Sequence, residues 1–253
     1  MTHSKPILYY DIASGPPVRP FAPNPWKVRY ALNLKRVPYH TEWVELPDVT
    51  TVRKRLNAAP VRKFADGSDF HTLPVIHDQG HEVVVGDSFD IAVYLDQTYP
   101  ESGDRLFPQA SSGTALYVAF NKFVDDFFSR FCILCSRGLP FNPETADESK
   151  AEFCRRAGVE RWEQLGIEGE ERIKMVEEFK VALDELARVY KHRPAGEGPW
   201  LEGGSSPTYA DLIVGGWLAM MKNTLSEWED MKTWHEGLWG RIDSELERFA
   251  QVH

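Results

Sequence analysis

Two short strings carry residues whose types and spacing could hold a small peptide-like ligand. In "TLPV" (72–75) a proline stands inside a run of strand-forming residues. Proline cannot donate to a sheet ladder, so it belongs at an edge or at the first position of a strand. A cis Leu73-Pro74 bond would reverse the chain and leave the backbone N–H and C=O of Leu73 free to pair with an extended ligand. In "GDSFDIAVYL" (86–95), Asp87 and Ser88 stand at the start of a helical pattern. There the hydroxyl and N–H of Ser88 can hold a carboxylate while Asp87 accepts from an ammonium; the plain alternative is an N-cap.

A third string, "FAPNPWK" (21–27), joins a strand to a helix and brackets an asparagine with two prolines. Residues ahead of proline favour extended geometry, and proline suits the first helical position. The expectation is therefore Asn24 as N-cap and Pro25 as first helical residue. The N–H groups of Trp26 and Lys27 and the Asn24 carboxamide would then face one point, where the helix dipole favours negative charge. Asn24 is either a cap alone or a functional donor. A fourth string, "CILC" (132–135), follows "FVDDFFSRF" inside an apolar helical pattern. A redox pair sits at a strand-to-helix junction, where the helix N-terminus lowers a thiol pKa, so these read as buried structural thiols. No second ligand pair at zinc spacing accompanies them.

The elements that must position these strings change character along the chain. "PILYYD" (6–11), "HTEWVEL" (40–46), "TLPVIHD" (72–78) and "HEVVVGD" (81–87) read as strands, the last two joined at Gln79-Gly80 as a hairpin. Helical patterns run from about Pro25 to Lys35 and through "SFDIAVYLDQTYP", with "VTTVRKRLNA" a short polar helix or turn. The order is β-α-β-α-β-β-α. From about residue 110 only helical spacing remains: Leu116, Phe120, Phe123 and Phe127 make one stripe, and Val176, Phe179, Leu183, Leu186 and Tyr190 another. "PESGDRLFPQASSG" (100–113) reads as the linker, and Thr208 with Asp211 in "TYAD" has capping-box spacing.

At 253 residues with 42% hydrophobic and 26% charged residues, the chain has material for two modest domains. Its formal charge of −9, from 38 acids against 29 bases, argues against a nucleic-acid partner. No apolar run suits a leader or a membrane span, and the three cysteines do not suggest a disulfide framework. These features predict a cytoplasmic protein with a small-molecule or protein partner and no membrane partner.

Together the strings resemble the cytosolic glutathione transferases. "YYDI", "PNPWKVRYALN", "TEWVELPD", "HTLPVIHD", "DSFDIAVYLDQTYP" and "LFP" are similar to the fungal-specific class A members, a group related to bacterial β-etherases. The likeness is dense over residues 6–108 and looser through the helical half, where "GPWLEGG" and "TYADLIVGGWL" fit the pattern. It implies an α/β plus all-α fold: a thioredoxin-like domain (1–103) binding glutathione, and an all-helical domain (104–253) contributing a hydrophobic ligand site. It also implies glutathione as cosubstrate, no metal, and a homodimer.

Carried over by position, the resemblance puts the backbone of Leu73 on the cysteinyl part of glutathione and Asp87 with Ser88 on the γ-glutamyl end. His71, Thr72 and Lys27 fall toward the glycine end. Taken alone, His71 reads as a solvent-facing strand residue. Class relatives carry serine where this chain has Ala22, so the thiolate-stabilising hydroxyl is missing and Asn24 becomes the catalytic candidate. Ser14, in a loop, and Tyr10, within a strand, are poor substitutes. The absence of cysteine at this junction argues against thioltransferase chemistry. Phe21, Phe123 and Phe127 are candidates for the hydrophobic site, although the latter two also suit core packing. The chain is thus expected to be either a weak transferase acting on aromatic electrophiles or a ligandin that binds glutathione and aromatic molecules.

Overall fold

The computed structural model describes residues 5–108 and 113–253. Residues 109–112 of the expected linker, and the first four of the chain, lie outside them. The first half runs β1 (Ile7–Ile12), α1 (Pro23–Leu34), β2 (Tyr39–Val44), α2 (Val49–Arg55), β3 (Arg62–Lys63), β4 (Asp69–Phe70), β5 (Val75–Asp78), β6 (Val83–Val85) and α3 (Ser88–Thr98). This is the expected order with one addition, the antiparallel ribbon β3–β4. Its turn contains Asp66-Gly67, and Gly67 takes the left-handed φ of +83° that glycine adopts without steric cost. The β5–β6 turn is also longer than a two-residue hairpin. The Asp78 carboxylate accepts from the N–H groups of Gly80 and His81, so a side chain replaces ladder bonds there.

The main sheet has the order β2-β1-β5-β6, with β1 and β2 parallel and both other pairs antiparallel. Side-chain alternation divides β1 between two cores. Ile7 and Tyr9 join α1, α3 and the helical half in one apolar cluster, while Tyr10 and Ile12 meet Phe21, Val49 and Leu73 in another.

The second half is α4 (Ala115–Ser129), α5 (Ala146–Ala157), α6 (Gly169–Lys191), α7 (Tyr209–Thr224), α8 (Trp228–Met231) and α9 (Trp234–Leu246). Phe179, Leu183, Leu186 and Tyr190 of α6 are buried as their spacing predicts. The α4 stripe is rotated from expectation. Tyr117, Val124, Phe127 and Phe128 are buried, whereas Leu116 is 70% and Phe123 38% exposed. The apolar arc of α4 is wide, running from Leu116 and Phe123 round to Tyr117 and Phe128, so sequence spacing could not choose which part of it would be covered. The Thr208–Asp211 capping box is present, the Thr208 N–H donating to Asp211 Oδ2 at 2.9 Å. Burial pushes that carboxyl up to about 6.

Helix α1 lies between the sheet and α7, and only Asn33 among its residues after Asn24 is not buried. Lys27, Arg29 and the following Lys35 are all fully buried and each meets a carboxylate: Asp125 of α4 at 2.5 Å, Asp11 of β1 at 2.7 Å and Asp96 of α3 at 3.2 Å. Close approach of α7 depends on "GG" at 215–216. A Cβ on Gly216 would stand 2.5 Å from the Pro23 carbonyl oxygen and 2.8 Å from Lys27 Cγ. Gly216→Ala is therefore expected to destabilise the chain by about 1–3 kcal/mol through overpacking against backbone. Urea unfolding should show a lower midpoint, whereas an unchanged midpoint would mean that α7 can shift freely.

Candidate functional site

Three chain segments meet at one edge of the first domain: the entry to α1, the loop 71–74 and the entry to α3. Arg53 of α2 ties two of them together. Its side chain is buried, with Nη1 donating to the Thr72 carbonyl at 2.5 Å and Nη2 to the Gly86 carbonyl at 3.0 Å and to the Ala59 carbonyl. No carboxylate pairs with it among the described residues, and burial pulls its pKa down. The cation thus holds the residues immediately before Leu73 and before Asp87.

The Leu73-Pro74 bond is cis, Leu73 is buried, and its N–H has no partner among the described residues. Beside it, His71 is buried with neither ring nitrogen hydrogen-bonded. Thr72 lines an adjoining cleft. Asp87 caps α3, its Oδ1 accepting from the Phe89 N–H at 2.8 Å, while Ser88 is buried at the first helical position. The capping role and a free second Asp87 oxygen coexist.

Helix α1 begins two residues earlier than expected. Its N-cap is Ala22, with φ −78° and ψ 142°, and Pro23 is the first helical residue. Trp26 already donates to the Ala22 carbonyl at 3.2 Å, and Lys27 lies within the regular ladder, so neither N–H is free. Pro23 and Pro25 have no N–H, which leaves that of Asn24 as the one free backbone donor of the first turn. The Asn24 carboxamide makes no hydrogen bond among the described residues, and its Oδ1 is buried. The Tyr9 hydroxyl holds this turn by donating to the Pro25 carbonyl at 2.7 Å.

Between the domains lies a cleft of about 340 Å³. Phe21, Ala22 and Pro23 form one side, Leu139, Phe141 and Phe153 are among the opposing apolar residues, and Arg62 and Arg156 are its two charged residues.

The C-terminal half, residues 115–249, matches the family model "Glutathione S-transferase, C-terminal domain", and residues 21–98 match "Glutathione S-transferase, N-terminal domain". The chain belongs to the glutathione S-transferase family. A glutathione S-transferase of Ceriporiopsis subvermispora, solved in complex with glutathione, is 31% identical with a TM-score of 0.86, covering 98% of this chain and 99% of that one. Glutathione transferase GSTFuA2 of Phanerochaete chrysosporium is 32% identical with a TM-score of 0.82, covering 99% and 100%. The glutathione S-transferase-like protein ustS of Aspergillus flavus is 29% identical over 93% of this chain and 85% of its own length.

Within this transferase fold, several expected site residues stand elsewhere. Lys27 is committed to the interface between domains: its Nζ bonds Asp125 and, at 3.1 Å, Asn121 Oδ1, while the Trp217 indole N–H also donates to Asp125 at 2.7 Å. Fully buried and paired, it has no reach toward a glycine carboxylate. Phe123 is on the outside of α4 and Phe127 packs among Phe128, Phe131 and Phe179, so neither lines the cleft. Of the three phenylalanines only Phe21 does. Conversely, Cys132 and Cys135 do line the cleft, in short 3-10 turns with their thiols pushed up by burial to about 12 and about 11. Such thiols remain protonated and structural at neutral pH.

Arg53 does not stand out in the sequence, where "VTTVRKRLNA" reads as a short polar helix or turn. The available signal was its place four residues after Val49, on the buried face of a short helix. No helix among the described residues is long and apolar enough to cross a membrane, and no group of three or more His, Cys, Asp or Glu among them could hold a metal.

His71 supplies a measurable consequence. Burial, reinforced by the Arg53 charge, lowers its pKa from the usual value. The unfolded chain takes up this proton at about 6.5 and the folded chain only at lower pH. Between those values the unfolded state binds more protons, so this contribution to stability is present above about 6.5 and lost as pH falls. NMR titration should place the His71 midpoint below 6.5, and His71→Asn should flatten the loss of stability between pH 7 and 5. A midpoint at or above 6.5 would contradict the burial argument.

Proposed function

We propose that this chain is a glutathione-binding transferase of weak activity toward hydrophobic aromatic electrophiles, of the fungal-specific class A type. The observation that carries the reading is the unpartnered N–H of Leu73 beside the free Asp87 oxygen, two donor and acceptor positions braced on the same guanidinium. In this reading Leu73 pairs with the cysteinyl backbone, Asp87 and Ser88 take the γ-glutamyl end, and His71 with Thr72 take the glycyl end. The likeness to a relative solved in complex with glutathione supports it. The ligand supplies a thiol, which attacks an electrophile as its thiolate.

What the protein adds is stabilisation of that charge. Moving a thiol pKa from about 8.5 to 6.5 takes about 2.7 kcal/mol, which one charge-assisted hydrogen bond could supply. Ala22 has no such donor. Asn24 offers one N–H, a carboxamide and the positive end of α1, while the flanking prolines withhold two donors. Catalysis is accordingly expected to be slow, with Asn24 the catalytic residue. A ligandin role, holding glutathione and an aromatic molecule without rapid turnover, is the second reading, and Ala22 with the apolar cleft favours it. Homodimer formation belongs to the same proposal, supported by the exposed apolar side chains of Leu116 and Phe123 on α4.

Calorimetry should detect glutathione binding in the natural chain. With 1-chloro-2,4-dinitrobenzene, Ala22→Ser should raise turnover at least tenfold and Asn24→Ala should lower the residual rate, both with little change in glutathione affinity. Absence of binding would remove both readings. Equal and substantial rates before and after Ala22→Ser would show that the serine is dispensable and that backbone and Asn24 suffice.

A further inference from the structure

The lining of the cleft is mainly apolar, with the hydroxyl residues Thr72 and Ser136 and two cations among it. Among the described residues its lining contains no acidic residue, and its two charged groups are both guanidinium: Arg62 from the β3–β4 ribbon and Arg156 from α5 in the helical half. They approach one ring, with guanidinium carbons 4.3 and 5.4 Å from the centroid of Phe70, which also lines the cleft. Neither cation is fully neutralised. Arg62 has no carboxylate partner among the described residues. Arg156 donates through Nε to Glu152 Oε1 at 2.7 Å, but the same carboxylate takes Nε and Nη2 of Arg155. Arg156 Nη2 is buried with no hydrogen-bond partner among the described residues.

Burying an unpaired donor of a charged group is costly, and two like charges against one ring repel each other. An anionic group beside them would relieve both, and a guanidinium fork is well suited to carboxylate or sulfonate oxygens. The chain as a whole carries −9, so attraction of an anion requires a local cationic site such as this.

We infer that the cleft selects aromatic or otherwise hydrophobic molecules bearing a carboxylate, sulfonate or phenolate, with the apolar body beside Phe21 and Ala22 and the anion on Arg62 and Arg156. This rests on the proposed reading of the cleft as the hydrophobic-ligand site. It goes further in naming the chemical class and the two residues that determine it. The pair comes from both domains, so the specificity exists only when they are packed together.

A matched pair of fluorescent probes tests this: 8-anilino-1-naphthalenesulfonate and N-phenyl-1-naphthylamine, which share a skeleton and differ by the sulfonate. The natural chain should bind the sulfonate at least tenfold more tightly, with the preference shrinking as salt rises. Arg62→Gln and Arg156→Gln should each weaken the sulfonate at least fivefold and leave the neutral probe and the calorimetric glutathione Kd within twofold. Arg62 is exposed, so its variant keeps the test informative even if Arg156→Gln fails to fold. Equal affinity for both probes would overturn the inference, as would parallel loss of both, which marks a packing role. Loss of glutathione affinity with the sulfonate unaffected would also overturn it, assigning the arginines to the glycyl carboxylate. Sulfonate preference that depends on the arginines in a chain that does not bind glutathione would uphold the inference while removing the proposed function.

Discussion

Helix α1 sits between a sheet and a second helical layer while carrying cations that cannot reach water. Lys27, Arg29 and Lys35 are each fully buried, and each is matched by an aspartate from a different element. Breaking such a pair leaves an uncompensated buried charge, typically a loss of about 3–5 kcal/mol, although an apolar replacement of both partners can be neutral. The pairs therefore act more as registration than as net stabilisation. Asp11, Asp96 and Asp125 can meet their partners in only one docking of β1, α3 and α4 around α1. Arg29 adds the rings of Tyr9, Trp26, Tyr39 and Trp43 around its guanidinium.

Arginines beyond α1 have a different job. Arg53 lies among carbonyls instead of carboxylates, so its hydrogen bonds hold loops in place without bringing a compensating charge. The loops it holds are those that carry Leu73 and Asp87. Arg156 is only partly satisfied by Glu152, and it is one of the residues that line the cleft. The same residue type thus holds loops in one place and presents unused hydrogen-bonding capacity in another, depending on what surrounds it.

The entry to α1 shows how far local chemistry can be read. The two prolines do set the helix start, but the choice between Pro23 and Pro25 as first residue depended on Ala22 being able to accept from Trp26. Both positions satisfy the proline preference, and the Tyr9 hydroxyl on the Pro25 carbonyl is a contact between residues 16 apart that no local rule contains. Lys27, which the family resemblance puts toward the glycine end, is held elsewhere for a related reason: its partner Asp125 lies 98 residues away. Phe123 and Phe127 both lie on the one broad apolar arc of α4, and spacing alone does not say which part of that arc is covered.

By itself the sequence determined the order of the main-sheet strands and their helices, the proline of the Leu73 loop, the cap at Asp87, the Thr208–Asp211 box and the family to which the chain belongs. These depend on periodicity, backbone restrictions and motifs a few residues long, and local sterics are enough to enforce them. Only the tertiary structure decided which cation went to which aspartate, that Arg53 braces the loops, that Lys27 is unavailable, and that two arginines close an apolar cleft. Those outcomes depend on desolvation and on distances between groups far apart in the chain, quantities that exist only once the layers have packed.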